Sequence, residues 1–230
     1  TGPNSEHHGG GGSRLRAQSE RPAAQGNSPY LSAAAREEKS VGPEHPDLAT
    51  KLNRRAGLLC KQGKFEDADP LYVRVLKILG ATVGEEHPSY ASALNNRAAL
   101  LYKQGKYKEA EPLCKRSLAI DETAYGPDHL EVAADLNNWA LLLEKQGKLD
   151  EAYEVKRKGL FIEERKLPPD HPQTAASLNT LAYILESQGK YNEAAPLYLR
   201  VIEIDERTLG TNHPDLATSL NNRAVLLDNQ

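Results

Sequence analysis

Five histidines recur at one fixed interval: His45, His87, His129, His171 and His213, each 42 residues after the last. Imidazoles serve as metal ligands and general bases, so this row is the first place to look for chemistry. The constant offset argues against a metal site. Successive structural units would carry the rings along the molecule, too far apart for one ion whose bonds are near ~2 Å. Proline follows His45, His87, His171 and His213, where it suits the first position of a helix. They read as helix-start residues. His7 and His8 read as a solvated dipeptide, and Cys60, which with Cys114 makes up the only two cysteines, as a small packing residue rather than a nucleophile. Gly-rich phosphate loops, His-Glu-x-x-His, Cys-x-x-Cys and nucleophile elbows are missing from the sequence. The chain is not expected to be an enzyme, and no metal or cofactor is expected.

What positions these residues is the 42-residue period itself. Each unit begins with a segment such as "HPDLATKLNRRAGLLCKQGK" or "HPSYASALNNRAALLYKQGK" and continues with one such as "FEDADPLYVRVLKILG" or "YKEAEPLCKRSLAIDE". In the first segment Leu52, Ala56 and Leu59 form a helical stripe, repeated by Leu94, Ala98, Leu101 and by Leu136, Ala140, Leu143. This first helix starts near Pro46, with Asp47 and Asp215 placed favourably in the first turn, and stops at Gly63, Gly105, Gly147 or Gly189. The second helix runs from about Glu66, with Ala68, Tyr72, Val75, Leu76 and Leu79 inward. Pro70, Pro112 and Pro196 lie just inside its start, tolerable if the helix begins no earlier than about three residues before them. Each unit is a helical hairpin. Because one hairpin cannot bury both of its apolar faces, neighbours must stack, giving an all-α solenoid with a concave and a convex surface.

The expected organisation is a disordered leader over 1–27, a degenerate half-repeat capping helix over 28–44, and full repeats at 45–86, 87–128, 129–170 and 171–212. The first helix of a fifth repeat follows at 213–230, with an apolar stripe of Leu220, Ala224 and Leu227 left uncovered. That stripe and the absence of any Met lead to the expectation of an excerpt from a longer protein. With 39% hydrophobic and 27% charged residues and a net charge of −3, no strong attraction to nucleic acid or membranes is expected. No apolar run reaches the roughly 20 residues of a membrane helix. Two cysteines and no Asn-x-Ser/Thr site point to a reducing, cytoplasmic setting.

Gly-Lys-Tyr/Phe/Leu followed three residues later by Ala, with Leu-x-x-x-Ala-x-x-Leu upstream, resembles the tetratricopeptide repeat. The period and the strings "LNNRAALLYKQGKYKEAEPLCKRSLAIDE" and "HPDLATSLNNRA" resemble its kinesin light chain and nephrocystin-like subtype over residues 28–230. The resemblance implies a right-handed superhelix whose inner wall is made mostly by first helices. It does not imply kinesin association, because a fold does not fix a function.

By that resemblance the wall carries Thr50, Asn53, Arg54, Gly57, Cys60 and Lys61 in the first repeat and Ser92, Asn95, Asn96, Ala99, Tyr102 and Lys103 in the second. The third repeat supplies Ala134, Asn137, Asn138, Leu141, Glu144 and Lys145, and the fourth Ala176, Asn179, Thr180, Tyr183, Glu186 and Ser187. Asn221, Asn222, Val225 and Asp228 would extend it. One column is Asn throughout: Asn53, Asn95, Asn137, Asn179 and Asn221. A side-chain amide donates and accepts, so such a ladder can pair with the backbone of an extended peptide; alternatively each Asn bonds a neighbouring helix. Tyr102 and Tyr183 are candidate anchors or packing filler. Cations (Arg54, Lys61, Lys103, Lys145) lead the wall and acids (Glu144, Glu186, Asp228) end it, so acidic ligand residues would sit over the first two repeats.

A second column reads Arg55, Arg97, Trp139, Leu181 and Arg223, and fourteen residues after its first four members stand Asp69, Glu111, Tyr153 and Ala195. Charged meets charged and apolar meets apolar. The pattern predicts contacts within each hairpin, Arg55–Asp69 and Arg97–Glu111 among them, and makes these arginines structural. The function expected is protein–protein interaction through the concave groove, as a recognition or adaptor region. The alternative is a solenoid that self-associates through its uncovered C-terminal face.

Overall fold

The computed structural model describes residues 45–228; the expected leader and capping half-repeat lie outside the described residues. Among these, the chain forms α-helices and no strands: α1 (Pro46–Lys61), α2 (Phe65–Thr82), α3 (Pro88–Lys103), α4 (Tyr107–Tyr125), α5 (Leu130–Lys145), α6 (Leu149–Lys166), α7 (Pro172–Ser187), α8 (Tyr191–Leu209) and α9 (Pro214–Asp228). They pack as hairpins α1–α2, α3–α4, α5–α6 and α7–α8, each stacked on the next, with α9 against α8. The result is an α-solenoid.

The histidines do structural work. His45, His87, His129, His171 and His213 each use Nδ1 to accept the backbone N–H two residues on, at 3.1–3.2 Å, satisfying a donor that the helix itself cannot. At the other end of each first helix, Gly63, Gly105, Gly147 and Gly189 take φ of 74–75°, which turns the chain into the second helix at no side-chain cost.

The prolines sit deeper than the sequence suggested. Pro70, Pro112 and Pro196 follow helix starts at Phe65, Tyr107 and Tyr191, five residues earlier rather than three, so each removes one intrahelical hydrogen bond. All three are exposed, and water can reach the carbonyl left over. The stripes are buried as expected, from Leu52, Ala56 and Leu59 through Leu136, Ala140 and Leu143, with Tyr72, Val75 and Leu76 facing them in the first hairpin. On α9, Leu220, Ala224 and Leu227 are exposed.

Candidate binding surface

Successive first helices touch, α1 with α3 and α3 with α5, whereas second helices are splayed. Between α4 and α6 the splay opens a cleft of about 720 Å³ floored by Trp139. The face where helices converge is the concave one, so the first helices form the inner wall. Along it Arg54, Lys61, Lys103, Asn138, Lys145 and Tyr183 are exposed, Tyr183 to 48%. Between α3 and α5 lies a hollow of about 130 Å³ bounded by Asn95, Ala99, Tyr102, Lys103, Asn138 and Leu141.

The two candidate tyrosines differ. Tyr102 is half-buried with its ring 5.5 Å from that of Tyr107 and tilted by 56°, and burial pushes its hydroxyl pKa up. It is part filler and part wall. Tyr183 projects from α7.

The Asn column does not act as one ladder. Asn95 Nδ2 donates to Asp135 on α5. Asn137 is engaged at both ends: its Nδ2 donates to Glu163 Oε1 at 2.6 Å and its Oδ1 accepts from Lys156 Nζ at 2.9 Å. Both Nδ2 groups are engaged inside joints between hairpins, which counts against the peptide-facing reading of Asn95 and Asn137. Asn53 and Asn179 accept from the next hairpin's Asn96 and Asn222 at 3.1 and 3.0 Å, through Oδ1 in each case. Among the described residues that leaves the Asn53 and Asn179 amide groups and the Asn95, Asn96 and Asn222 carbonyls without a partner. Asn221 is exposed on α9.

Charge on the wall is uneven in the expected sense but partly neutralised. Lys145 bonds Glu144 at 3.0 Å, and Glu186 accepts the Tyr198 hydroxyl at 2.9 Å. Arg54, Lys61 and Lys103 have no ionic partner among the described residues. Their charge remains available. The Cys60 thiol is 4.0 Å from the Tyr72 hydroxyl, and burial raises both pKa values, so it stays protonated and poorly nucleophilic. Burial holds Cys114 at about 12.

The second column also needs correction. Arg97 pairs not with Glu111 of its own hairpin but with Asp69 of the preceding one, Nε to Oδ1 at 2.8 Å. Glu111 accepts instead from Lys115 at 2.6 Å on its own helix and from Lys148 and Gln146 of the next hairpin at 3.2 and 3.0 Å. Lys115 lies over the Trp139 ring at 5.1 Å, and Tyr153 packs against the apolar cluster that contains Leu181. The Arg97–Asp69 and Trp139–Lys115 contacts reach back one hairpin. The arginine is structural, as expected, but it works across the seam.

Sequence reasoning missed the polar contents of the joints. Between α5–α6 and α7, the buried Lys156 ammonium also reaches Ser177 Oγ at 3.1 Å, and Glu163 takes Gln173 Nε2 at 3.0 Å; burial lowers the lysine to about 8. Between α8 and α9, Ser219 donates to buried Asp205 at 2.6 Å. Between α4 and α5, Asp121 and Asp135 are both buried. The available signal was an ionisable residue standing in an apolar register, as in "LAIDE" and "AADLNN". Among the described residues no group of three or more His, Cys, Asp or Glu could hold a metal ion, and no helix is long and apolar enough to cross a membrane.

Comparison with known proteins gives one family. The tetratricopeptide repeat is matched over residues 47–111, 89–162, 134–207 and 173–230. No curated protein sequence matches. Among solved structures, the nearly identical TPR-like repeats assigned to a kinesin light chain of Podosopora anserina are 26% identical, covering 81% of this chain and 88% of that one with a TM-score of 0.72. A methionine-substituted form of those repeats gives a TM-score of 0.73 at the same identity and coverage. BtubC (BKLC) from P. vanneervenii is 19% identical, covering 87% and 80%, with a TM-score of 0.73. The last supports the fold alone.

Proposed function

The chain belongs to the tetratricopeptide repeat family, a family of protein-interaction modules, and from that premise we propose that it holds an extended partner segment along the wall formed by its first helices. The observation that carries this reading is the unpaired polar and charged edge of that wall. Among the described residues Arg54, Lys61 and Lys103 lack ionic partners and the Asn53 and Asn179 amide groups lack acceptors, and Tyr183 stands out from α7. An extended segment offers carbonyls to the amides, acidic side chains to the cations and an apolar group to the tyrosine. The hollow beside Tyr102 suits one small side chain. Asn138, Lys145 and Asn221 extend the same wall. A setting in a reducing cytoplasm, as the adaptor or recognition region of a larger protein, fits the two protonated thiols.

Panning a phage-displayed library of unstructured peptides against the chain tests this. Selected peptides should carry acidic residues, and their affinity should fall at least about tenfold, or ~1.4 kcal/mol, when Lys61 and Lys103 are both reversed to Glu. Unchanged affinity would sink the reading. A second reading, self-association through α9, is favoured by exposed Leu220, Val225 and Leu227. Light scattering with and without an added capping helix separates the two, since association through that face should vanish on capping.

A further inference from the structure

The joint between the second and third hairpins holds two acids where the two joints after it hold one acid and a donor, and the joint before it holds Leu79 and Ala93. Asp121 of α4 is 4% exposed and Asp135 of α5 is 1% exposed, and each carboxyl group acts on the ionisation of the other. At the next joint the residues in these positions are Glu163 and Ser177, with Lys156 adding positive charge, and at the last they are Asp205 and Ser219, hydroxyl to carboxylate. Two carboxylates offer only acceptors. Asp135 Oδ1 is served by the Asn95 amide, with the Ser117 hydroxyl 3.3 Å away, but Asp135 Oδ2 and Asp121 Oδ1 are both buried with no donor among the described residues. One proton between the carboxyl groups supplies the missing donor and removes one of two buried negative charges.

We propose that Asp121 and Asp135 share one proton, and that its loss as pH rises through neutrality loosens the joint between α4 and α5, which positions Asn95 and the hollow beside Tyr102. The surroundings favour retention of the proton. Facing the pair are Asn95 from α3, Ser117 and the neutral Cys114 thiol from α4, and Glu131 and His129 from the start of α5. Glu131 adds negative charge, whereas the interaction with Asp135 and the His129 side chain act in the opposite sense on Asp121. Burial holds Asp135 at about 7 and raises Asp121 as well. Between the ordinary carboxylate range and that value the native chain keeps a proton that the unfolded chain has released. Stability therefore falls as pH rises through this window and levels off above it.

The shared proton stands apart from the groove; only its effect on binding rests on the proposed function. Carbon-13 NMR titration of the aspartate carboxyl groups, with amide-exchange protection factors for α4 and α5 in the ligand-free chain, tests it directly. An acid titrating near neutrality is expected, with protection at the α4–α5 junction falling at least about tenfold between about pH 5.5 and about pH 8.5. Asp135→Asn and Asp135→Ser should abolish that fall, and Asp121→Asn, read in parallel, should do the same if either fails to fold. Two aspartates titrating below about pH 5, or a pH-dependent loss of protection that persists in the variants, would overturn the proposal. If the titration appears but library peptides bind without regard to the wall residues, the groove reading fails and the shared proton stands.

Discussion

Arg97, on the first helix of the second hairpin, donates from Nε to Oδ1 of Asp69, on the second helix of the first, at 2.8 Å. The pair is part of a set of clips across the seams. Gln104, Gln146 and Gln188, which cap the first helices, reach Glu66, Glu111 and Asp150 of the preceding hairpins at 3.2, 3.0 and 2.9 Å. In a solenoid each hairpin touches only its neighbours, so these clips set register as well as stability. With side chains 27% and 33% exposed, the Arg97–Asp69 pair should contribute about 1 kcal/mol. A double-mutant cycle of Arg97→Ala with Asp69→Ala in urea unfolding should show coupling of that size. The same cycle with Glu111→Ala should show almost none; the reverse pattern would restore the within-hairpin pairing.

Glu111 should give the chain part of its acid sensitivity. Hydrogen bonds from Lys115 and then Gln146 and Lys148 favour its charged form and hold its pKa at about 2. Since the folded value lies below the unfolded one, this contribution is present above the ordinary glutamate range and is lost as pH falls towards 2. Glu111→Gln should lower stability at neutral pH and flatten the acid limb of a thermal-melt series between about pH 5 and about pH 2. A variant whose acid limb matches the parent would refute the assignment.

A strict period explains both what the sequence revealed and what it hid. The helix stripes, His caps and Gly stops are local, so they were legible residue by residue. The partner of Arg97 was not. A contact fourteen residues ahead and one twenty-eight behind fall in the same column of a 42-residue repeat, and only geometry separates Glu111 from Asp69. The Asn column hid a similar difference. Its members share an identity, yet Asn95 and Asn137 face buried acids supplied by Asp135 and Glu163, while Asn53 and Asn179 meet another amide. What each amide does depends on the joint behind it.

Two helical glycines should respond oppositely to alanine. At Gly80 an added Cβ would stand 3.6 Å from the Glu85 and Tyr90 side chains, ordinary contact, so Gly80→Ala should gain up to ~1 kcal/mol from helix propensity. At Gly159 it would stand 2.8 Å from Asn137 Oδ1 and 3.3 Å from the Ala133 carbonyl. Gly159→Ala should therefore lose roughly 1–3 kcal/mol, because α6 must retreat from α5 and disturb the Lys156–Asn137 contact. Urea midpoints moving in the same direction would contradict this account.

Tyr183 and Tyr102 provide a test that separates wall from core. Tyr183 is 48% exposed on α7, so Tyr183→Ser should change stability by less than ~0.5 kcal/mol. If the wall holds a partner segment, the same substitution removes an amphipathic anchor and should weaken binding of library-selected peptides by about 2 kcal/mol, some thirtyfold. Tyr102→Ala should act differently, because this ring packs on Tyr107 and borders the hollow between α3 and α5. Losses in melting temperature and affinity should appear together there. Calorimetric binding and thermal melts on both variants decide the matter: a Tyr183 variant that melts early yet binds normally would make the residue packing and move the partner elsewhere.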